Sequence, residues 1–407
     1  MPIITLFSGV FCGKKTVLKN LKDRTGYKHV TDDDIVKQVE LLTGLQESKI
    51  RRAFSSKTSV FNEFTHEKEC SIAHMRLAVA EMLMDEELII DGFSSLLIPG
   101  NIDHVLRVCL IAEMPYRVAQ AKTNHLLDEK EAKRTIRQED GDRAAWIEAL
   151  HSNPDPWAGE LYDMVIPMQG LDENQAGALI EEYLHKNVLH KTEPSEKAYE
   201  NFLLSSRVQA VLCKAGHDVT ADAKHGAVVV HINKHVLMLD RLEDELKSIA
   251  GKVPGVKSVA TRVDMGYQRC NIYRKHEAGV PSRVLLVDDE REFVQTLSER
   301  LQLRDMGSAV VYDGKSALNI VKNDEPEVII IDLKMPGIDG IGVLKKVKTE
   351  RPDIEVVVLT GHGSEKDRQM CMDLGAFDYL QKPVDINHLS KVLKNAHKKI
   401  QGRVQGA

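Results

Sequence analysis

The feature that most constrains this chain is a set of acidic residues at the ends of its C-terminal apolar runs. RVLLV (283–287) leads into Asp288, Asp289 and Glu290, and EVIII (327–331) leads into Asp332. SAVVY (308–312) and EVVVLT (355–360) complete the series; the latter ends in Thr360, and a short strand around Tyr379 precedes Lys382 and Pro383. Helix-period stretches separate these runs, which predicts βα units, a parallel sheet and helices on both of its faces. In such a sheet all strand C-termini share one edge, where ligands bind. Three carboxylates at that edge repel one another unless a cation joins them, and hard oxygen ligands in that number suit Mg²⁺. A lysine and a hydroxyl beside them suit a phosphoryl group. Helix capping would explain Asp288 and Asp289 taken alone, but the agreement of four strand ends outweighs it.

The stretches VDDE (287–290), IDLKMPGIDG (331–340), LTGHG (359–363) and GAFDYLQKP (375–383) resemble the response-regulator receiver domain over about residues 282–400. The resemblance implies a flavodoxin-like (βα)5 fold with Asp332 as phospho-acceptor. It places Mg²⁺ on Asp288, Asp289 and Asp332, with the Lys334 carbonyl as a further ligand. Lys382 would contact the phosphoryl group, and Thr360 and Tyr379 would form a switch pair. The donor would be a phosphohistidine on a sensor histidine kinase or phosphotransfer protein, attacked by the carboxylate to give an aspartyl phosphate. A homodimer through the receiver is a further expectation.

The N-terminal part, also α/β, opens on a buried strand, IITLF (3–7), followed by Ser8-Gly9-Val10-Phe11-Cys12-Gly13-Lys14-Lys15-Thr16 and an amphipathic helix. A phosphate loop wants GxxxxGK[ST] at such a place. Gly9, Lys15 and Thr16 fit that spacing, with Lys14 where a glycine is expected; backbone amides at Gly13 and the helix N-terminus would still favour a phosphate. Farther on, Arg134, Arg137, Asp140 and Arg143 step by three along one helical ribbon. Such a ribbon serves as a solvated charged face, or as the arginine clamp of a lid over a transferring phosphoryl group.

KRTIRQEDGDRAAW (133–146), NPDPWAGELYDMVIPM (153–168), LIIDGFSSLLIP (88–99) and VCLIAEMPYRV (108–118) resemble the cytidylate-kinase-like family over about residues 1–185. The resemblance implies a P-loop domain in which Lys15 and Thr16 meet the phosphates of ATP and Mg²⁺, while Arg134, Arg137 and Arg143 are lid arginines. The loop is poorer in glycine than the family's, and Gly92-Phe93-Ser94 stands where the family has a Gly-Arg-Gly-like turn. Two readings remain: a receiver-gated kinase of CMP or a related nucleoside monophosphate, and a domain that binds nucleotide or docks without turnover. Asp32, Asp33 and Asp34 read more readily as helix caps than as acceptor-nucleotide contacts.

Between these parts, RVQAVL (207–212), His225-Gly226-AVVVHI and KVPGVKSVATRV (252–263) resemble a BON domain, a small α+β unit that implies protein contact or a spacer. Linkers are expected at 186–198 and 267–282, giving domains at 1–187, 198–266 and 282–401.

Composition sets the remaining limits. The 407 residues carry 55 Lys+Arg against 61 Asp+Glu, a net charge of −6 that disfavours non-specific nucleic-acid binding. No DNA-reading helix-turn-helix is expected after the C-terminal series. The cysteines, Cys12, Cys70, Cys109, Cys213, Cys270 and Cys371, are scattered, so neither a zinc ribbon nor a disulfide framework is expected, and a reducing bacterial cytoplasm fits. No apolar run reaches the roughly 18 residues of a membrane span.

Overall fold

A computed structural model describes residues 2–151, 155–185, 189–234, 236, 238–263, 279–361 and 363–405. The chain forms two compact units. The first comprises Met1–Thr58, Glu67–Lys214 and Val219–Ile272; the second comprises Ser59–His66, Ala215–Asp218 and Tyr273–Ala407.

In chain order the elements up to residue 263 are β1 (Ile3–Ser8), α1 (Lys14–Thr25), β2 (Lys28–Thr31), α2 (Asp32–Thr43), α3 (Glu47–Arg52), α4 (Asn62–Thr65, part of the second unit), α5 (Glu67–Met82), β3 (Leu88–Asp91), β4 (Val105–Ile111), α6 (Met114–His125), α7 (Glu129–Leu150), β5 (Met164–Pro167), α8 (Glu173–Leu184), α9 (Glu193–Lys214), β6 (Thr220–Lys224), β7 (Ala227–Ile232), α10 (Leu239–Ala250) and β8 (Ser258–Val263).

The main sheet of the first unit is parallel, with order β2-β3-β1-β4-β5. All six residues of the central strand β1 are buried, as a strand covered on both faces requires. One face packs Ile3, Ile90 and Val105 against Val36, Met75 and Val79; the other packs Ile4, Leu6 and Leu110 against Val17, Leu21 and Ile180. The three-stranded sheet β6-β7-β8 joins an antiparallel hairpin to a parallel strand. His225 and Gly226 make its turn, both at positive φ (53° and 91°). α10 turns Leu242, Leu246 and Ala250 inward at a spacing of four.

Two expectations are corrected in this unit. The linker expected at 186–198 is partly helical, because α9 starts at Glu193 with Pro194 in its first turn, where proline is tolerated. Ser195 there is fully buried and accepts a hydrogen bond from the Asp103 amide at 2.7 Å, while Ala198 and Phe202 join the core around Met75. The cysteines are not all free: Cys70 of α5 and Cys213 of α9 form a disulfide across 143 residues. Helix packing, not sequence proximity, brings this pair together. Cys12, Cys109 and Cys371 are free and buried; Cys270 lies outside the described residues, as does most of the linker expected at 267–282.

The second unit contains β9 (Val284–Val287), α11 (Arg291–Gln302), β10 (Ser308–Val311), α12 (Gly314–Asp324), β11 (Val328–Ile331), α13 (Gly340–Glu350), β12 (Glu355–Thr360), α14 (Glu365–Asp373), β13 (Asp378–Gln381) and α15 (Ile386–Gln405). Its five strands are parallel in the order β10-β9-β11-β12-β13, the flavodoxin-like arrangement. β9 and β11 are adjacent and flank the point where strand order reverses, so Asp288 and Asp332 emerge side by side at the crevice. The unit also takes in the distant segment Ser59–His66. Phe61 is fully buried with Leu285, Val321 and Ile329, and Phe64 packs against Gly307, where an added Cβ would come within 2.6 Å of its own Cβ. Among the described residues, no helix is long and apolar enough to cross a membrane.

Candidate functional site

At the C-terminal edge of the second sheet, carboxylate oxygens of Asp288, Asp289 and Asp332 all lie within 4.8 Å of one another. Asp288 and Asp332 are buried, and Asp289 is exposed. The Lys382 ammonium bridges Asp288 at 2.7 Å and Glu290 at 2.8 Å, and lies 4.4 Å from the Phe293 ring centroid. Glu290 was not among the candidates from sequence, although it directly follows the acidic pair. Burial pushes the Asp288 carboxyl above its ordinary value; bonds from Lys382 and the Glu290 amide oppose this, and the charge of Asp332 adds to it. For Lys382, burial works against the charge, but Asp288, Glu290 and Asp332 outweigh it and hold the ammonium above its usual range.

Asp332 Oδ1 is buried with no hydrogen-bond partner among the described residues. Such an atom costs stability unless something charged or polar meets it, so this donor set fits a hard divalent cation. Thr360, at the end of β12, is buried. The Tyr379 ring is buried as well; its hydroxyl has no hydrogen-bond partner among the described residues and lies 1.6 Å from where a Cβ on Gly363 would stand. Only glycine leaves room for the ring in this inward position. The Lys382–Pro383 peptide bond is cis.

In the first unit, β1 runs into the glycine-containing loop, and Gly13 takes the left-handed conformation (φ 74°) that ends the loop and starts α1 at Lys14. The loop borders a cavity of about 470 Å³ lined by Lys14, Lys15, Thr16, His125, Arg143 and Glu173, among others. Lys14 reaches Asp91 at the end of β3 (2.6 Å), and His29 approaches the same carboxylate at 3.4 Å. Burial would raise the Asp91 carboxyl, but the His29 bond and the Lys14 charge hold it below its ordinary value. Gly9 packs on Cys12 Sγ, 2.9 Å from where its Cβ would stand.

The arginine ribbon divides. Arg143 turns inward, donating to the Ser8 carbonyl at 2.9 Å and to Glu139 at 2.8 Å. Arg134 and Arg137 remain exposed on α7. Arg117, unnoticed in the sequence, forms a two-pronged pair with Asp140 (2.8 and 2.7 Å) and donates to the Val10 carbonyl at 2.9 Å, bracing the loop. Asp91 was also missed, although an acid closing an apolar strand is the signal that marked Asp332. The acidic run at 32–34 does cap α2, but through Thr31 paired with Asp34, while Asp32 accepts from the Phe93 and Ser94 amides at 2.9 and 2.8 Å.

Comparison with known proteins finds a family match for each of the two regions. Residues 284–394 match the response regulator receiver domain. The chain carries a receiver domain at its C-terminus. Residues 3–170 match the cytidylate kinase-like family. Response regulator MprA of Mycolicibacterium vanbaalenii is 33% identical over 110 residues, 27% of this chain and 48% of that protein. MprA of Mycobacterium avium is 33% identical over 107 residues, 26% and 47%. The chain thus spans about half the length of these curated relatives. Among solved structures, a response regulator receiver domain protein from Clostridium thermocellum is 32% identical, with a TM-score of 0.28, covering 29% of this chain and 95% of the other. The receiver domain of the Francisella response regulator 1452 is 29% identical, with a TM-score of 0.28, covering 29% and 98%.

Proposed function

We propose that this chain is a two-component signalling protein whose receiver is phosphorylated on Asp332 and coupled to an N-terminal domain that binds nucleotide. The observation that carries the reading is the convergence of Asp288, Asp289 and Asp332 within 4.8 Å, with Lys382 on the same cluster. Mg²⁺ held there by these carboxylates and the Lys334 carbonyl would neutralise charge on the phosphoryl oxygens. Asp332 attacks phosphorus, the bond to the donor nitrogen breaks, and Lys382 moves from its carboxylate partners toward the new phosphate. Thr360 turns to the phosphate and Tyr379 responds, biasing one of two arrangements of that face. The donor is a sensor histidine kinase or phosphotransfer protein.

Three functional regions, 1–187, 198–266 and 282–401, serve this reading, with the BON-like middle one as spacer or protein contact. For the first region, nucleotide binding is favoured over turnover of CMP, because Arg143 and Arg117 are already engaged by Ser8, Glu139 and Asp140. Labelling with phosphoramidate tests the receiver half: native protein acquires one alkali-labile, hydroxylamine-sensitive phosphoryl group, and Asp332→Ala acquires none. Equal labelling of that variant refutes the acceptor assignment. Calorimetry with ATP and CMP, alongside an ATP-to-CMP transfer assay, tests the other half.

A further inference from the structure

A metal-bound triphosphate in a phosphate loop needs a hydroxyl on the residue that follows the phosphate-contacting lysine. Which lysine that is follows from the packing of α1. Val17, Leu18 and Leu21 are buried, and Lys14 shares their face at positions i, i+3, i+4 and i+7. Lys14 is also the first helical residue after left-handed Gly13, and its ammonium reaches the sheet edge at Asp91. Lys15 is turned away by about 100° and is exposed at the rim of the same cavity. The inward lysine is therefore Lys14, not Lys15 as the spacing implied. The residue after it is Lys15, and the hydroxyl arrives one position late, at exposed Thr16.

The neighbouring carboxylates do not repair this loss. Asp91 is held by Lys14 and His29. Glu173 sits across the loop, its Oε1 3.2 Å from where a Cβ on Gly13 would stand. The donor set of this loop does not fit Mg²⁺: a lysine stands at the chain position, directly after the inward lysine, where the ion's hydroxyl ligand belongs.

We propose that the N-terminal loop binds the phosphates of a nucleoside triphosphate without a divalent cation, the Lys15 ammonium supplying the charge that the ion supplies elsewhere. This rests on the reading of the domain as nucleotide-binding. Free triphosphate carries more negative charge than its magnesium complex, so a site built with a fixed cation favours the metal-free form. Glu173 opposes any anion there and keeps the affinity modest.

The test is calorimetric titration of ATP into the full chain, once in EDTA and once with Mg²⁺ already saturating, so that the receiver's own cation site is silent. The native chain is expected to bind ATP in EDTA at least as tightly as in Mg²⁺. Lys15→Ser is expected to lose about tenfold in EDTA and to recover when Mg²⁺ is added, because a hydroxyl then follows Lys14. Lys15 is exposed, so thermal melting of the variant checks that it folds. Binding by the native chain only with Mg²⁺ overturns this inference and leaves nucleotide binding intact. Unchanged EDTA affinity in Lys15→Ser overturns it equally. No heat from the native chain in either buffer overturns the nucleotide reading itself.

Discussion

Asp332→Asn is expected to stabilise the metal-free receiver while abolishing its phosphorylation. Carboxylate oxygens of Asp288, Asp289 and Asp332 lie within 4.8 Å. At that upper limit of separation and an effective dielectric of about 20, each like-charged pair costs at least about 3.5 kcal/mol before screening. Asp289 is exposed, so solvent screens its share, and Lys382 at 2.7 Å from Asp288 offsets part of the rest. The net gain on removing one charge is then about 1–2 kcal/mol. Urea unfolding of the full chain in EDTA at low ionic strength reads this value from the receiver transition, followed separately from that of the first unit.

Acid dependence supplies a second readout from the same variant. The folded Asp288 carboxyl titrates above its ordinary value, mainly through burial, with the Asp332 charge contributing. The folded state therefore binds this proton more tightly than the unfolded chain does. Its ionisation costs stability at neutral pH, and the cost is relieved as pH falls through the raised value toward the ordinary carboxylate range. Native receiver in EDTA should gain stability on mild acidification, and Asp332→Asn should gain less. Added Mg²⁺ should reverse the order, stabilising the native chain more than the variant. A variant less stable than native in EDTA, with an unaltered acid response, would refute the view that these carboxylates repel one another across a shared cation site.

Three further outcomes are expected. Lys14→Met removes the inward ammonium and should weaken ATP binding by at least about tenfold, whereas Lys19→Met, outside the cavity, should not; calorimetry distinguishes them. Phe61→Ala empties a fully buried position in the receiver core, and should cost the receiver transition about 3–5 kcal/mol in urea unfolding. Reducing the Cys70–Cys213 bond, or replacing both residues with serine, should lower the stability of the first unit by about 2–5 kcal/mol, measured by calorimetric melting with and without dithiothreitol.

Both parallel sheets are legible in the amino-acid sequence because their central strands, β1, β9 and β11, are continuous apolar runs, the pattern that burial on two faces imposes. The receiver site was legible for the same reason. Alternation fixes which end of each run meets the common edge, so acids at the ends of β9 and β11 must converge. The N-terminal loop was less so. Counting spacings made Lys15 the phosphate lysine, whereas the orientation of α1 turns Lys14 inward, a property of the helix's packed face and not of the motif. The start of α9 was hidden by Pro194 and its polar neighbours, which read as linker when isolated and as a helical first turn when packed.

By itself, then, the amino-acid order determined the α/β class, the direction of the sheets and the acidic cluster with Lys382, because these depend on period and polarity along each run. Tertiary structure alone decided which distant residues meet. It joined Cys70 to Cys213, buried Phe61 in the receiver core, set Arg117 on Asp140 and gave Asp91 to Lys14. Each of these contacts spans more than 20 residues of chain, and local pattern carries no record of separations that only packing closes.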